Sequence, residues 1–341
     1  MMRVAARLAG SLLPVCLFGL AFGQAWIPPK GQGSVNFGYS WGHVDTHIFS
    51  SSIYGLDAGP REQDYGEIDS QTVLLGVAYG VTERFALGLD LAQVGAQYTG
   101  TFPESPEIDD GSWHRGIQDL RIGFRYQAYK GPMVVTPFAG AVVPVGNYDH
   151  FGHAALGRHL NEFPFGVSLG APFGKKRVHS YLLANYAYSI VEELEGIDTN
   201  RSNANLEFGF FPTKKLVLRA VGGWQDTHGG LDWATDVVDE ETAHNHDVVA
   251  NSDYWTAGAG VAYSINPNLD VYGSWNAILS GSNTHDLETI TAGLSWNFGK
   301  GLTGGRKIGG RYGPDRAAAG EKDDRDLARA TTVGKTQAGG F

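Results

Sequence analysis

The sequence predicts an all-β protein, a transmembrane up-and-down antiparallel β-barrel of about 12 strands. Three observations lead there. Large apolar residues recur at every second position in many separate segments, the period of a strand with one apolar face. The connections between those segments alternate between short and long. Beyond an apolar leader, no stretch approaches the ~18 uninterrupted apolar residues of a spanning helix. A mature chain in a membrane must then cross it as a closed barrel.

Taken in order, the leader comes first. Arg3 and Arg7 precede an apolar run from Leu8 to Phe22, followed by the small residues Gly23 and Ala25. This is the pattern of a secretory signal peptide, so residues 1–24 are read as one, cut after Gly23 or after Ala25. The single cysteine, Cys16, lies inside it. The mature chain is therefore expected to carry no disulfide, no thiolate nucleophile and no cysteine-based metal site.

Residues 25–298 are read as the barrel. Val73, Leu75, Val77 and Tyr79 alternate with Thr72, Leu74, Gly76 and Ala78. Leu120, Ile122, Phe124 and Tyr126 alternate with Asp119, Arg121, Gly123 and Arg125. The pattern returns with Phe163, Phe165 and Val167, with Leu206, Phe208 and Phe210, with Trp255 to Tyr263, and with Ile290 to Phe298. A soluble sandwich would place Lys, Glu and Thr opposite the apolar face. Here the opposite face is mostly Gly, Ser, Asn and Ala, which suits a narrow lumen with the aromatics turned to lipid. Five tight turns (near 82, 130, 172, 212 and 266) and six loops on the other side, five of them long (from 45, 99, 145, 192 and 228) and one short (281 to 284), join 12 strands, with both ends on the short-turn side. The short turns are basic and the long loops acidic, including Glu192, Glu193, Asp239, Glu240 and Glu241.

From residue 299 the alternation stops. The segment 299–341 is Gly-rich and charged, with nine Lys and Arg against five Asp and Glu, and is read as a disordered basic tail. The formal net charge of −10 thus understates how acidic the barrel is. It also argues against a nucleic-acid partner, whose phosphates need Lys and Arg.

Catalytic patterns are mostly missing. A phospholipase-type barrel needs His and Ser two residues apart on one strand face, but His179 and Ser180 are adjacent. No protease-like set of paired acids with an Asp-His pair is recognisable in the loops, so no enzymatic activity and no cofactor are expected. Two histidine groups could bind metal: His150 and His153 with His159 in one loop, and His244, His246 and Asp247 in another. Imidazole and carboxylate suit divalent ions. Neither spacing matches a known site, so these are read as solvated residues of flexible loops.

Inward charges are more informative. Asp119, Arg121 and Arg125 share one strand face, Arg219 lies inward on another, and Asp90, Glu207, Asp270 and His179 are expected in the lumen elsewhere. Such charges select ions, orient polar solutes, or neutralise one another as structural clusters.

Two stretches carry a family resemblance: GIQDLRIGFRY (Gly116 to Tyr126) and PVGNYDHFGHAALGRH (Pro144 to His159), continued by NEFPFGVSLGAPFG and the Tyr-rich segment from Tyr181 to Tyr188. They resemble a Gly-Asp-Leu strand motif and a Pro-Thr-Gly-x-Tyr loop of the outer-membrane family labelled meta-pathway of phenol degradation, also described as transporters. Val145 stands where that loop usually has Thr, and two residues rather than one separate Gly116 from Asp119. The resemblance implies a β-barrel taking up small aromatic or hydrophobic compounds, and it implies no catalytic residues.

The expectation is an outer-membrane channel of a Gram-negative bacterium passing small organic solutes through a polar lumen, with acidic loops outside as a gate and the basic tail in the periplasm. The alternative is a closed structural or interaction barrel whose loops bind cations, lipopolysaccharide or an extracellular partner. Lipid, lipopolysaccharide and the barrel-assembly machinery are the expected partners besides the solute. The short run before the first strand predicts no N-terminal plug.

Overall fold

The computed structural model describes residues 22–50, 61–63, 66–101, 103, 105–173, 179–233, 236 and 245–299. The greater part of the leader and the tail beyond 299 lie outside the described residues, as do His244 and Asp239 to Glu241. Twelve long strands run in sequence: β1 Gln32–Val44, β2 Glu67–Gly80, β3 Phe85–Thr99, β4 His114–Tyr126, β5 Val134–Pro144, β6 Glu162–Phe173, β7 His179–Val191, β8 Thr199–Phe211, β9 Leu216–Gly229, β10 Asp253–Asn266, β11 Leu269–Ser282 and β12 Glu288–Gly299. Each pairs antiparallel with its neighbours. The ring closes where β1 pairs β12, from Gln32 opposite Gly299 to His43 opposite Glu288. Closure leaves no unpaired edge, which is what a sheet in hydrocarbon requires.

Strands of 11 to 15 residues exceed the ~9–11 needed to cross a bilayer at a tilt. Facing outward are residues that an aqueous protein would hide: Phe37 is 50% exposed, Leu206 50% and Leu294 47%. Tyr79, Tyr126, Tyr263 and Trp296 are exposed near the short turns, and Phe163, Phe165 and Trp255 toward the other end. An apolar belt edged by aromatics fits the outside of a membrane barrel.

Two features bend this regular scheme. Between β3 and β4 the register shifts, so that Gln93 faces Ile117 while Leu91 faces Leu120. Two residues, Gln118 and Asp119, thus oppose one, a β-bulge that turns both toward the lumen. The extra residue between Gly116 and Asp119 is absorbed there. The second feature is at the outer end, where His47–Phe49, Arg61–Gln63 and Thr284–His285 form a separate three-stranded sheet.

The long loops have cores of their own. One combines Val44, Ile68, Tyr98, Ile108, Tyr148 and Leu156; another combines Leu160, Val191, Val248 and Val249. The stretches 145–161 and 245–252 are packed, which corrects the expectation of flexible, solvated loops there, while much of 99–113 and of 192–198 is exposed.

Candidate functional site

Inside the long-loop half of the barrel lies a cavity of about 210 Å³. Its wall combines hydroxyls and amides, including Ser40, Thr72, Thr291, Asn276, Asn203 and Asn205, with charges: Asp90, Asp119, Arg121, Arg158, Glu162 and Arg201. Strand parity explains the placement. With Phe163 and Phe165 turned to lipid, Glu162 turns inward; with Leu206 and Phe208 outward, Arg201 joins Asn203 and Asn205 inside.

The charged groups are closely interlocked. Glu162 accepts from Arg201 and lies 3.6 Å from Arg158. Arg158 also donates to the Val248 carbonyl at 2.9 Å and to Thr199. Burial and the neighbouring Arg201 lower its pKa to about 10, so it stays cationic at neutral pH. Tyr148, on the loop from 145 to 161, donates to Asp119. Burial and the Asp119 carboxylate push its phenol pKa upward, which keeps it the donor. The His159 amide binds Tyr148 Oη at 3.0 Å, and Gln118 donates to the Leu156 carbonyl at 2.6 Å. This loop therefore folds into the mouth and narrows it.

Of the charges expected in the lumen, Asp90, Asp119 and Arg121 line the cavity. Arg125 is 1% exposed, packed below it as part of the wall. Glu207 accepts from Tyr181 and lies 3.8 Å from Arg219, forming a separate pair nearer the short turns. Asp270 accepts from Ser264 at 2.6 Å and from Asn297 at 3.4 Å, in a small network by a turn. His179 opens β7 at the short-turn end, with its side chain outside the described residues. Glu162, Arg158 and Arg201 were not anticipated; extending the period-two count from Phe163 and from Glu207 would have found the first and the last.

The short-turn half of the lumen is closed. Phe22, Ala25, Trp26 and Ile27 are buried within it, Trp26 packing edge-on to Tyr181 with ring centroids 5.6 Å apart. Thr136 donates to the Ala25 carbonyl at 2.6 Å. Two glycines make the seat: a Cβ on Gly170 would meet the Trp26 ring at 2.7 Å, and one on Gly140 would strike Phe22. The residues before β1 thus fill the lumen, which corrects the expectation of an unplugged barrel. The inward face is also less uniformly small than expected, since Tyr181, Leu183 and Phe211 join this cluster.

The histidines are redistributed. His153 and His246 are not solvated: they are 3% and 5% exposed and meet His47, their ring nitrogens all lying within 4.8 Å of one another. His285 packs on His47 with centroids 4.5 Å apart, and Asp247 lies 3.2 Å from His246. Burial first, and then His285, His153 and His246, drive the His47 pKa well below its ordinary value. Asp109 is itself held below the usual range: burial would raise it, but hydrogen bonds from His153 and from the Ser105 and Ala154 amides outweigh that. His150 is elsewhere, stacked on His159 at 5.0 Å. No short spacing in sequence could have joined 47, 153, 246 and 285.

One further arrangement went unread in the sequence. Ser202 Oγ hydrogen-bonds His228 Nε2 at 2.8 Å, and Asp226 lies 3.6 Å from His228 Nδ1. The order is that of a Ser-His-Asp triad, but the last distance is too long for the hydrogen bond that orients the base. Ser202 is also engaged by Tyr186 Oη at 3.1 Å.

No family model matches the chain, and no curated protein matches it in sequence. Solved structures do resemble it. The COG4313 outer membrane channel from Pseudomonas putida F1 superposes with a TM-score of 0.59 at 12% identity, over 81% of this chain and 98% of that one. The translocator domain of the autotransporter NalP from Neisseria meningitidis reaches 0.44 at 13% identity, over 79% and 89%. The NanC porin reaches 0.43 at 9%, over 77% and 98%. The first likeness agrees with the closed 12-stranded fold of outer-membrane barrels; the other two superpose too loosely to add to it.

Proposed function

We propose that the protein is an outer-membrane channel for passive uptake of small organic solutes, in line with its resemblance to the phenol-degradation family. One observation carries this reading: a closed barrel encloses a polar cavity lined by guanidinium groups, carboxylates, hydroxyls and amides. Donors and charges of this kind orient a solute with one anionic or hydrogen-bonding end, and Leu74, Val94 and Val221, which also line the cavity, accept an apolar remainder. The loop from 145 to 161 restricts the mouth and the segment around Trp26 the exit, so passage requires the second to move. In this reading the acidic loops face outward, the tail faces the periplasm, and signal cleavage after Gly23 removes Phe22 from the cavity floor while leaving Trp26 seated.

The competing reading, a closed structural barrel, draws on that same plug. Planar bilayers separate the two. Discrete conductance steps are expected from the mature protein, and larger ones from Trp26→Ala. No conductance from either variant would overturn the channel. Arg121→Ala is expected to move the reversal potential toward cation selectivity. Arg125, being part of the packed wall, is the wrong residue for that test. We read Ser202 and His228 as a hydrogen-bonded pair of the rim rather than a catalytic one; fluorophosphonate labelling lost in Ser202→Ala would overturn this.

A further inference from the structure

We propose that His47, His153 and His246 form a binding site for one divalent transition-metal ion that fastens the outer loops together. One ring nitrogen of each lies within 4.8 Å of the others, and side-chain rotation would bring the three to the separation of about 3.4 Å that an ion at ~2.0–2.1 Å from each nitrogen sets. The three come from three separate connections, and His285, from a fourth, packs on His47. An ion here would cross-link segments that the barrel strands alone hold far apart in sequence.

The surroundings suit a metal better than a plain aromatic core. His153 Nδ1 lies 3.2 Å from Asp109 Oδ2, which also accepts from the Ser105 amide, while Asp109 Oδ1 accepts from the Ala154 amide. A carboxylate so placed is ionised and can only accept, so Nδ1 carries the proton and Nε2 keeps its lone pair for an ion. That carboxylate-histidine relay is the common support of a metal-binding imidazole. Asp247, 3.2 Å from His246 and 3.7 Å from His285, supplies negative charge beside the cluster. Trp233, with centroids 5.3 Å from His246 and 6.0 Å from His47, covers the cluster. Nitrogen-rich ligation selects zinc, nickel or copper over calcium or magnesium, which demand oxygen.

The inference is independent of whether the barrel conducts, and its test uses binding alone. Untagged full-length protein, stripped with chelator, is titrated with zinc against a chromophoric competitor, and cobalt(II) is followed by its visible absorption. One equivalent of each is expected to bind, with tetrahedral cobalt bands, and magnesium is not expected to compete. His153→Gln and His246→Gln are expected to weaken zinc at least 100-fold while His150→Gln leaves it unchanged. Should His153→Gln fail to fold, His246→Gln and the cobalt spectrum of the unaltered chain still decide. Substoichiometric binding to the unaltered chain, or affinity kept in His246→Gln, would overturn the site.

Discussion

Glu162 and Arg201 stand on β6 and β8, with β7 between them, and reach each other only because both turn into the lumen. Their pairing leaves Arg158 as a second cation 3.6 Å from the same carboxylate. Glu162 is the carboxylate both cations share, so removing it strands Arg158 and Arg201 together, at a cost on the order of 3 kcal/mol. Glu162→Ala is therefore expected to lower the unfolding midpoint of the barrel in urea. Arg201→Ala, which leaves Glu162 beside Arg158, is expected to cost less, and adding it to Glu162→Ala is expected to restore part of the loss, because one orphaned cation goes too. A double variant less stable than the sum of the singles would show that the pair does not act through charge. Both residues were legible in the sequence by counting in twos from lipid-facing neighbours. Arg158, in an irregular loop, was not, because no periodicity fixes where a loop side chain points.

At the scale of elements, the strands were readable and the partnerships between loops were not. Period two survives because each strand meets lipid on one face and lumen on the other, so every position is constrained. The histidine cap depends on four connections meeting above the mouth, and sequence distance hides that. The cap carries its own pH dependence. Burial and the neighbouring His285, His153 and His246 push the folded pKa of His47 below its ordinary value of about 6.5, so the unfolded or opened state binds the proton more readily. Stability of the cap is then present above about pH 6.5 and declines as pH falls below it, by at most about 1.4 kcal/mol per pH unit for one such group. His153, His246 and His285 surround it, with Asp109 and Asp247 as the nearby anions. Protection factors of the amides in residues 47–49 and 284–285, with rates corrected for the intrinsic slowing of exchange as pH falls, are expected to decrease between pH 7 and pH 5 while those in the barrel strands do not. His47→Phe is expected to abolish the difference.

The plug is the other element that sequence concealed, since residues 22–24 are read with the apolar leader and the short run from 25 to the first strand carries no period that shows where it packs. Its seat was visible only as glycine content. Gly170 has no Cβ where the Trp26 ring passes, so Gly170→Val is expected to displace the segment without breaking the β5 to β7 pairing. Larger conductance and faster proteolysis of the N-terminal segment are the readouts. Unchanged values for both would place the closure elsewhere.

Across the whole molecule, one rule assigns each residue its solvent, and it can be tested at adjacent positions. Leu206 and Asn205 are neighbours in mid-strand on β8, yet Leu206 is 50% exposed on the belt while Asn205 lines the cavity. A charge at the lipid-facing midplane costs about 2–4 kcal/mol for Arg. Leu206→Arg is therefore expected to reduce assembled barrel, seen as loss of the heat-modifiable band on gels. Asn205→Asp places its charge among Asn203, Arg201 and the hydroxyls of the cavity. It is expected to assemble normally and to move ion selectivity toward cations. Were Asn205→Asp to block assembly while Leu206→Arg did not, the barrel would be inside out relative to the structure, and both the lumen and the belt would need reassignment. The same parity links the residue pair, the strand and the closed ring, because a shift of one position on any strand would exchange its faces and break the match with its neighbours.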